Sequence, residues 1–216
     1  MDNSKDVREF LTSRRSRVTP AQAGLPAYGG TIERILAGMT GTPAYVRNAR
    51  MDILAANNLC FALYTGILSP GTLPLNLARF MFLDPRGRDF FVEWETLADD
   101  LTAALRVEAG RRPHDRALNA LIGDLATGSS EFSVRWARHN VRFHRTARKT
   151  LHCPLVGEIE LTGDALDLPG EDLTLIAYTA EPGSHAQEQL DFLASWSITQ
   201  QAPPEGAASN DPAQAQ

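Results

Sequence analysis

The residue types best able to do chemistry are scattered along this chain. The histidines His114, His139, His144, His152 and His185 fall into neither HxxxH nor HExxH spacing. His139 and His144 come closest to pairing, but an expected helix-to-strand junction lies between them. Cys60 and Cys153 occupy different segments without a CxxC pair. That pattern argues against a zinc site or a disulfide framework and predicts reduced core thiols. Glu93, Glu95, Asp99 and Asp100 share one helical segment, where adjacent residues face different directions. They read as a solvated face rather than a catalytic pair. Neither a GxSxG elbow nor a GxGxxG or GxxxxGK(S/T) loop occurs. The expectation is a protein that is not an enzyme and uses no metal or cofactor.

Positive charge gathers in two places. Arg14, Arg15 and Arg17 would lie near phosphates in a nucleic-acid-binding protein and are the candidate nucleic-acid contacts. Residues 138–149, RHNVRFHRTARK, are rich in Arg, Lys and His and contain no acid. One reading is an anion contact. The blander reading is the solvated face of an edge strand, where cations discourage sheet-to-sheet association.

Apolar residues give a third candidate site, a pocket for a small apolar molecule. Cys60, Phe61, Phe80, Met81, Phe82, Phe90, Trp94, Leu97 and Leu101 cluster in a helical middle region, faced by Ile53, Ile159, Leu175 and Tyr178 from strands. Each alone is best read as core. Together they sit on short helices, which pack irregularly and leave cavities. Phe80, Met81 and Phe82 are consecutive, so on a helix they cannot all face one side. The candidate ligand-binding set is Ile53, Cys60, Tyr64, Phe80, Phe82, Trp94, Leu97, Leu101, Ile159 and Tyr178. Asn57, Asn58, Tyr64 and Tyr178 are the polar handles nearby.

The elements that must position these residues are legible from periodicity. Thr31 caps a helix with Ile32, Ile35, Leu36 and Met39 on one face, ended by Gly41 and Pro43. Residues 43–58 alternate about a polar turn and predict a β-hairpin. Asn57 or Asn58 caps the next helix, which stops at Gly66. Further helices are expected over 75–83, 90–109 with Gly110 as C-cap, 114–126 and 130–138. The period then becomes two, giving strands near 141–146, 155–162 and 173–178. Ser184 and Gln187 form a capping box for a last helix carrying Leu190, Leu193 and Ala194. Two strands, a helical middle and three strands predict an α/β (α+β) fold. Its expected form is a PAS-like five-stranded antiparallel sheet with helices on one face, in which residues 43–56 pair with the later strands.

Composition sets the bounds. The chain has 216 residues, 43% hydrophobic and 22% charged, with a formal charge of −5. That is enough to bury a core, and the total charge implies no strongly charged partner. MDNSKDVREF has no apolar run, and no stretch is long enough for a membrane span. A cytoplasmic protein without a membrane partner is expected. Residues 199–216 end in small, polar and Pro residues and predict a disordered tail.

Against these elements, GTPAYVRNARMDILAANNLCFALY, NLARFMFLDP, WETLADDLTAALRVEAGRRPHD, VRWARHNVRFHRTARKTLHCPLVGEIEL, LTLIAYTAEPGS and LASW, in that order, resemble the ligand-binding domain of MmyB-like regulators. These are Xre-type helix-turn-helix proteins of actinobacteria. The resemblance implies a sensor over 31–198 that takes a fatty-acid-like or other small apolar ligand, dimerises, and works with a DNA-binding helix-turn-helix. VREFLTSRRSRVTPAQAGLP resembles the start of that family's DNA-binding domain, making 1–30 a remnant and linker. Only AYGG separates Pro26 from Thr31, too little for the helix pair that reads DNA. Operator binding by this chain itself is therefore not expected. The alternative function is a stand-alone interaction protein that heterodimerises with full-length regulators.

Overall fold

A computed structural model describes residues 30–138, 146–168 and 172–199. The candidate phosphate contacts Arg14, Arg15 and Arg17, the strand expected over 141–145 and the expected tail lie outside those residues.

The described chain begins with helix α1 (Thr31–Gly38). Gly30 holds the capping position, so Thr31 is its first helical residue rather than its cap, and the Thr31 hydroxyl accepts from the Arg34 guanidinium. The expected hairpin follows as β1 (Ala44–Asn48) and β2 (Asp52–Ala56). Its turn is organised by Asn48, whose side-chain oxygen accepts from the Arg50 and Asp52 amides. Met51 takes the left-handed conformation that closes it. Asn57 caps α2 (Asn58–Leu63) by accepting from the Cys60 amide.

Leu75 and Asn76 depart from expectation. They form a two-residue strand, β3 (Leu75–Asn76), against β2 instead of opening a helix. Asn76 has a physical reason to stop the helix there. Its side chain caps α3 (Leu77–Leu83) at the Arg79 amide and donates to the Arg50 carbonyl and Asp52 carboxylate. The sheet therefore has six strands rather than five.

The helix expected over 90–109 is two. α4 (Arg86–Phe90) ends where Phe91 turns extended and bridges Leu151, with the Val92 amide donating to the Thr150 carbonyl. Only then does α5 (Trp94–Arg111) begin, and it runs through Gly110, which is no cap. α6 (Arg116–Gly128), capped by Asp115, and α7 (Ser130–Ala137), capped by Ser129, match the expected helices within a few residues.

β4 (Thr146–Cys153) and β5 (Gly157–Leu168) form a hairpin. Leu155 and Val156, expected inside a strand, lie in its turn because Gly157 adopts φ 77° there. β6 (Leu173–Thr179) and α8 (His185–Thr199) complete the chain, the latter begun by Ser184 accepting from the Gln187 amide.

All strand pairings are antiparallel, in the order β3-β2-β1-β6-β5-β4. The hairpin 43–56 thus joins the late strands through β1 and β6, as the sequence predicts. Alternation divides the sheet. Tyr45, Ile53, Leu151, Ile159, Leu161, Ile176 and Tyr178 face the main core, which α2 to α8 cover. Ala44, Val46, Leu54, Leu173 and Leu175 face the other way and meet α1 through Leu36, Ile32 and Met39. The expectation of helices on one face needs that amendment, since α1 lies against the opposite side.

Candidate functional site

The site is a cavity of about 90 Å³ between α5 and the inner face of the sheet. α5 supplies Leu97, Asp100, Leu101 and Ala104, spaced so that one helical stripe faces the strands. β1 contributes Tyr45 and Arg47, β4 Lys149, β5 Gly163 and Ala165, and β6 Ile176 and Tyr178. Leu77 and Met81 of α3, Phe91, Met51 and Tyr64 close it. A second cavity of about 90 Å³ shares Arg47, Met51, Ala104 and Ala165 with the first and reaches Glu108, Arg111 and Asp167.

Three buried tyrosines stand together here. The Tyr64 and Tyr178 hydroxyls are 2.9 Å apart, and the Tyr45 ring lies 6.3 Å from that of Tyr64 and 6.2 Å from that of Tyr178. Burial pushes Tyr45 up to about 12, against the lowering effects of Arg47 and of its hydrogen bond with Tyr178. Burial likewise holds Tyr64 and Tyr178 well above the ordinary phenol value. All three are neutral hydrogen-bonding groups, not bases.

The charges lie beside them. Arg47 is buried, and its guanidinium donates to the Asn48 carbonyl at 3.3 Å. The pairing of β1 with β2 slips beside it, with Val46 opposite Ala55 but Arg47 opposite Ile53. The Lys149 ammonium stands 5.7 Å from the centre of the Tyr178 ring. Burial first and Arg47 second push it down to about 8, against the pull of Asp100. Gly163 leaves the space these groups occupy. A methyl there would come within 3.0 Å of the Tyr178 ring and 3.6 Å of the Lys149 nitrogen.

Of the candidate ligand-binding residues, the structure brings Tyr64, Leu97, Leu101 and Tyr178 together around the cavity. Ile53, Cys60, Phe80 and Ile159 pack in the surrounding core without lining it. Phe82 and Trp94 stand elsewhere, in edge-to-face contact at 5.7 Å. Trp94 donates to the Met81 carbonyl and carries the Arg88 guanidinium on its ring, while Phe82 also meets Phe132. Among the three consecutive apolar residues it is Met81 that turns to the cavity. Leu175, expected to face the pocket, belongs to the opposite sheet face.

The polar handles divide. Asn57 is committed to structure: it accepts from the Ala44 and Cys60 amides and donates to the Met39 and Thr42 carbonyls. Asn58 is exposed. Glu93, Glu95 and Asp99 are exposed, as expected of a solvated face, and each also makes a contact. Glu93 accepts from the Thr150 amide and hydroxyl, and Glu95 and Asp99 pair with the buried Arg135. Arg47, Lys149 and Asp100 were not among the candidates. A signal existed for Lys149, which shares its phase on β4 with the buried Leu151 and Cys153. Its neighbour Arg148 is exposed and pairs with Glu160, as the edge-strand reading predicts.

Among the described residues, no group of His, Cys, Asp and Glu could hold a metal ion, and no helix is long and apolar enough to cross a membrane. What the geometry defines is an α+β domain with a small, mostly apolar internal cavity and a few polar groups converging on it, the form of a small-molecule site. The chain belongs to the MmyB-like transcription regulator ligand binding domain family, which it matches over residues 29–193. No curated protein matches it.

Proposed function

We propose that this domain is the sensing module of a bacterial transcription regulator and that a small, largely apolar, fatty-acid-like molecule occupies the cavity beneath α5. The observation that carries this reading is the cavity itself. It lies where α5, α3 and the inner sheet face converge, and Leu97, Leu101 and Met81 give it apolar walls. The strand order supports a PAS-like sensor. The first hairpin and the last three strands meet through β1 and β6, with the helical segment between them folded over one face. Tyr64, Leu97, Leu101 and Tyr178 are the proposed contacts, with Ile53, Cys60, Phe80 and Ile159 as the packing behind them; Phe82 and Trp94, which stand elsewhere, are not part of the proposed site. Regulation of DNA binding would pass through a helix-turn-helix module that this domain controls.

The test is Leu101→Trp, which fills the cavity from α5. The expected outcome is loss of binding of an apolar fluorescent probe with a stability change under about 1 kcal/mol, since a ring placed in a void displaces no packed atoms. A loss of about 1–3 kcal/mol with probe binding unchanged refutes the reading.

A second reading, pairing with another copy of this domain or with a full-length regulator, draws on the outer sheet face. Among the described residues only α1 lies against it, and Ile35 and Leu166 are 52% and 49% exposed. Ile35→Glu is expected to yield a folded monomer by light scattering. An oligomeric state that does not change refutes a shared α1 surface.

A further inference from the structure

Charge around the cavity balances once the adjoining cavity is counted with it. Together the two bring Arg47, Lys149 and Arg111 beside Asp100, Glu108 and Asp167. Cations and acids are equal in number, so the site asks for no charged ligand. What needs explaining is the kind of cation at one position. The chain has two lysines, Lys5 and Lys149, and every other basic side chain among its 21 Lys and Arg is an arginine, Arg47 in the same cavity included. A guanidinium keeps its proton at any ordinary pH, whereas an amine can lose one and become a nucleophile. Lys149 stands where that difference matters. It is half-buried, lines the cavity and shares its strand phase with the buried Leu151 and Cys153. Burial first and Arg47 second push its amine down to about 8. An apolar pocket and a neighbouring cation are the two means by which a lysine is activated to attack a carbonyl.

We propose that Lys149 is a covalent capture site, which holds a short aliphatic aldehyde in the cavity as an imine. The neutral amine attacks the carbonyl carbon, a C–N bond forms, and the carbonyl oxygen takes up a proton that the nitrogen gives up. The resulting carbinolamine expels its oxygen as water, which carries off the second amine proton and leaves a C=N bond. One aldehyde and one amine give one imine and one water, with no oxidant, reductant or further reactant. The surroundings fit each part. Gly163 leaves room at the attacking atom, since even a methyl there would stand 3.6 Å from the Lys149 nitrogen. Tyr45, Tyr64 and Tyr178 line the same cavity, and Tyr178 bonds to both of the others. Two bonds use two of the three hydroxyl protons, which leaves one for a carbonyl oxygen. Met81, Leu97 and Leu101 give an alkyl chain its apolar walls. At about 10–15 Å³ for each water-sized group the cavity holds roughly six to nine of them, enough for a chain of about six carbons and its oxygen. The neutral imine also replaces a charge that burial disfavours. This inference rests on the cavity being the sensing site.

The experiment treats the full, unaltered chain with hexanal and cyanoborohydride at pH 7, which fixes an imine as a stable hexyl amine. Peptide mass mapping then follows the hexyl group at Lys149 and at Lys5, the comparator in the same chain. At pH 7 an amine near 8 is neutral roughly a hundredfold or more often than one near 10.5. A less basic amine is also a weaker nucleophile, so Lys149 is expected to react about tenfold faster or more. Excess hexan-1-ol, which shares the alkyl body but forms no imine, is expected to slow Lys149 by about fivefold or more and to leave Lys5 unchanged. Its own binding is measured by titration calorimetry. Equal rates at the two lysines overturn the inference, as does a fast reaction at Lys149 that bound hexan-1-ol does not slow, because the amine then reacts from outside the cavity. Hexan-1-ol binding without preferred reaction at Lys149 overturns the imine and leaves the apolar cavity standing. Neither binding nor preferred reaction overturns both.

Discussion

Replacing Lys149 by Met should make the empty protein more stable, and the reason can be worked through. The folded protein holds this ammonium at about 8, against an ordinary value of 10.5. Each pKa unit is worth about 1.36 kcal/mol, so keeping the charge in place costs at most about 3 kcal/mol. The side chain keeps some contact with solvent, which brings the figure toward about 1–2 kcal/mol. Methionine fills the same path without charge. At pH 7 the variant is expected to gain about 1–3 kcal/mol, or roughly 2–12 °C in Tm for a domain of this size. The sign of the pH dependence follows from the same shift. Below pH 8 both states are protonated and the cost is complete. Between about 8 and 10.5 the unfolded chain holds the proton that the folded chain has released, so stability rises with pH. Buried Cys60, Cys153 and Tyr45 act in the opposite sense at high pH, because their raised values favour ionisation of the unfolded chain. The difference between the two proteins isolates Lys149. Urea unfolding followed by tryptophan fluorescence from pH 7 to 10 measures it, and the gap is expected to close as pH rises. A variant less stable than the original at pH 7, or a gap that does not change with pH, refutes the reasoning.

Other perturbations address separate links. Asn57→Ala removes the cap of α2 and leaves two half-buried carbonyls and the buried Ala44 amide without their partner. A loss of about 3–5 kcal/mol in urea unfolding is expected, and less than about 1 would show that water replaces these bonds. Tyr178→Phe strands the Tyr64 hydroxyl and should cost about 1–3 kcal/mol, with no effect of pH between 6 and 8 because both phenols stay neutral there. Gly163→Ala places a methyl against the Tyr178 ring and is expected to cost about 1–3 kcal/mol in urea unfolding; unaltered stability would show that the ring moves freely.

The order of elements was legible because most of them carry their own local signals. Asn57 and Ser184 stand at helix starts that the sequence marks, and each accepts a backbone amide there, as Asp115 and Ser129 do at the starts of α6 and α7. The misplacements fall where a distant partner outweighs local preference. Leu75 suits a helix, but β2 offers it a strand partner and Asn76 prefers to cap. Phe91 and Val92 suit the helix that follows, but the edge of β4 draws them into extended pairing. Neither partner can be read from a window of neighbouring residues.

The site was legible on its apolar side and hidden on its charged side, for one physical reason. Apolar residues at helical spacing announce burial, so Leu97 and Leu101 were found on the stripe that α5 turns to the sheet. A lysine or arginine in a strand is assigned to solvent by default, since burying an unpaired charge is costly. For Arg148 the default holds: it is exposed and meets Glu160. For Lys149 the strand's alternation contradicts it, because the residues in phase with it, Leu151 and Cys153, are fully buried. Arg47 poses the same contradiction on β1, where Tyr45 shares its phase and faces the core. A chain selected only for stability would replace both cations, as the expected gain of the methionine variant states in energy. Positions where the pattern of a strand and the charge of its residue disagree are where stability has yielded to another requirement. Two such positions, Arg47 and Lys149, open onto one cavity.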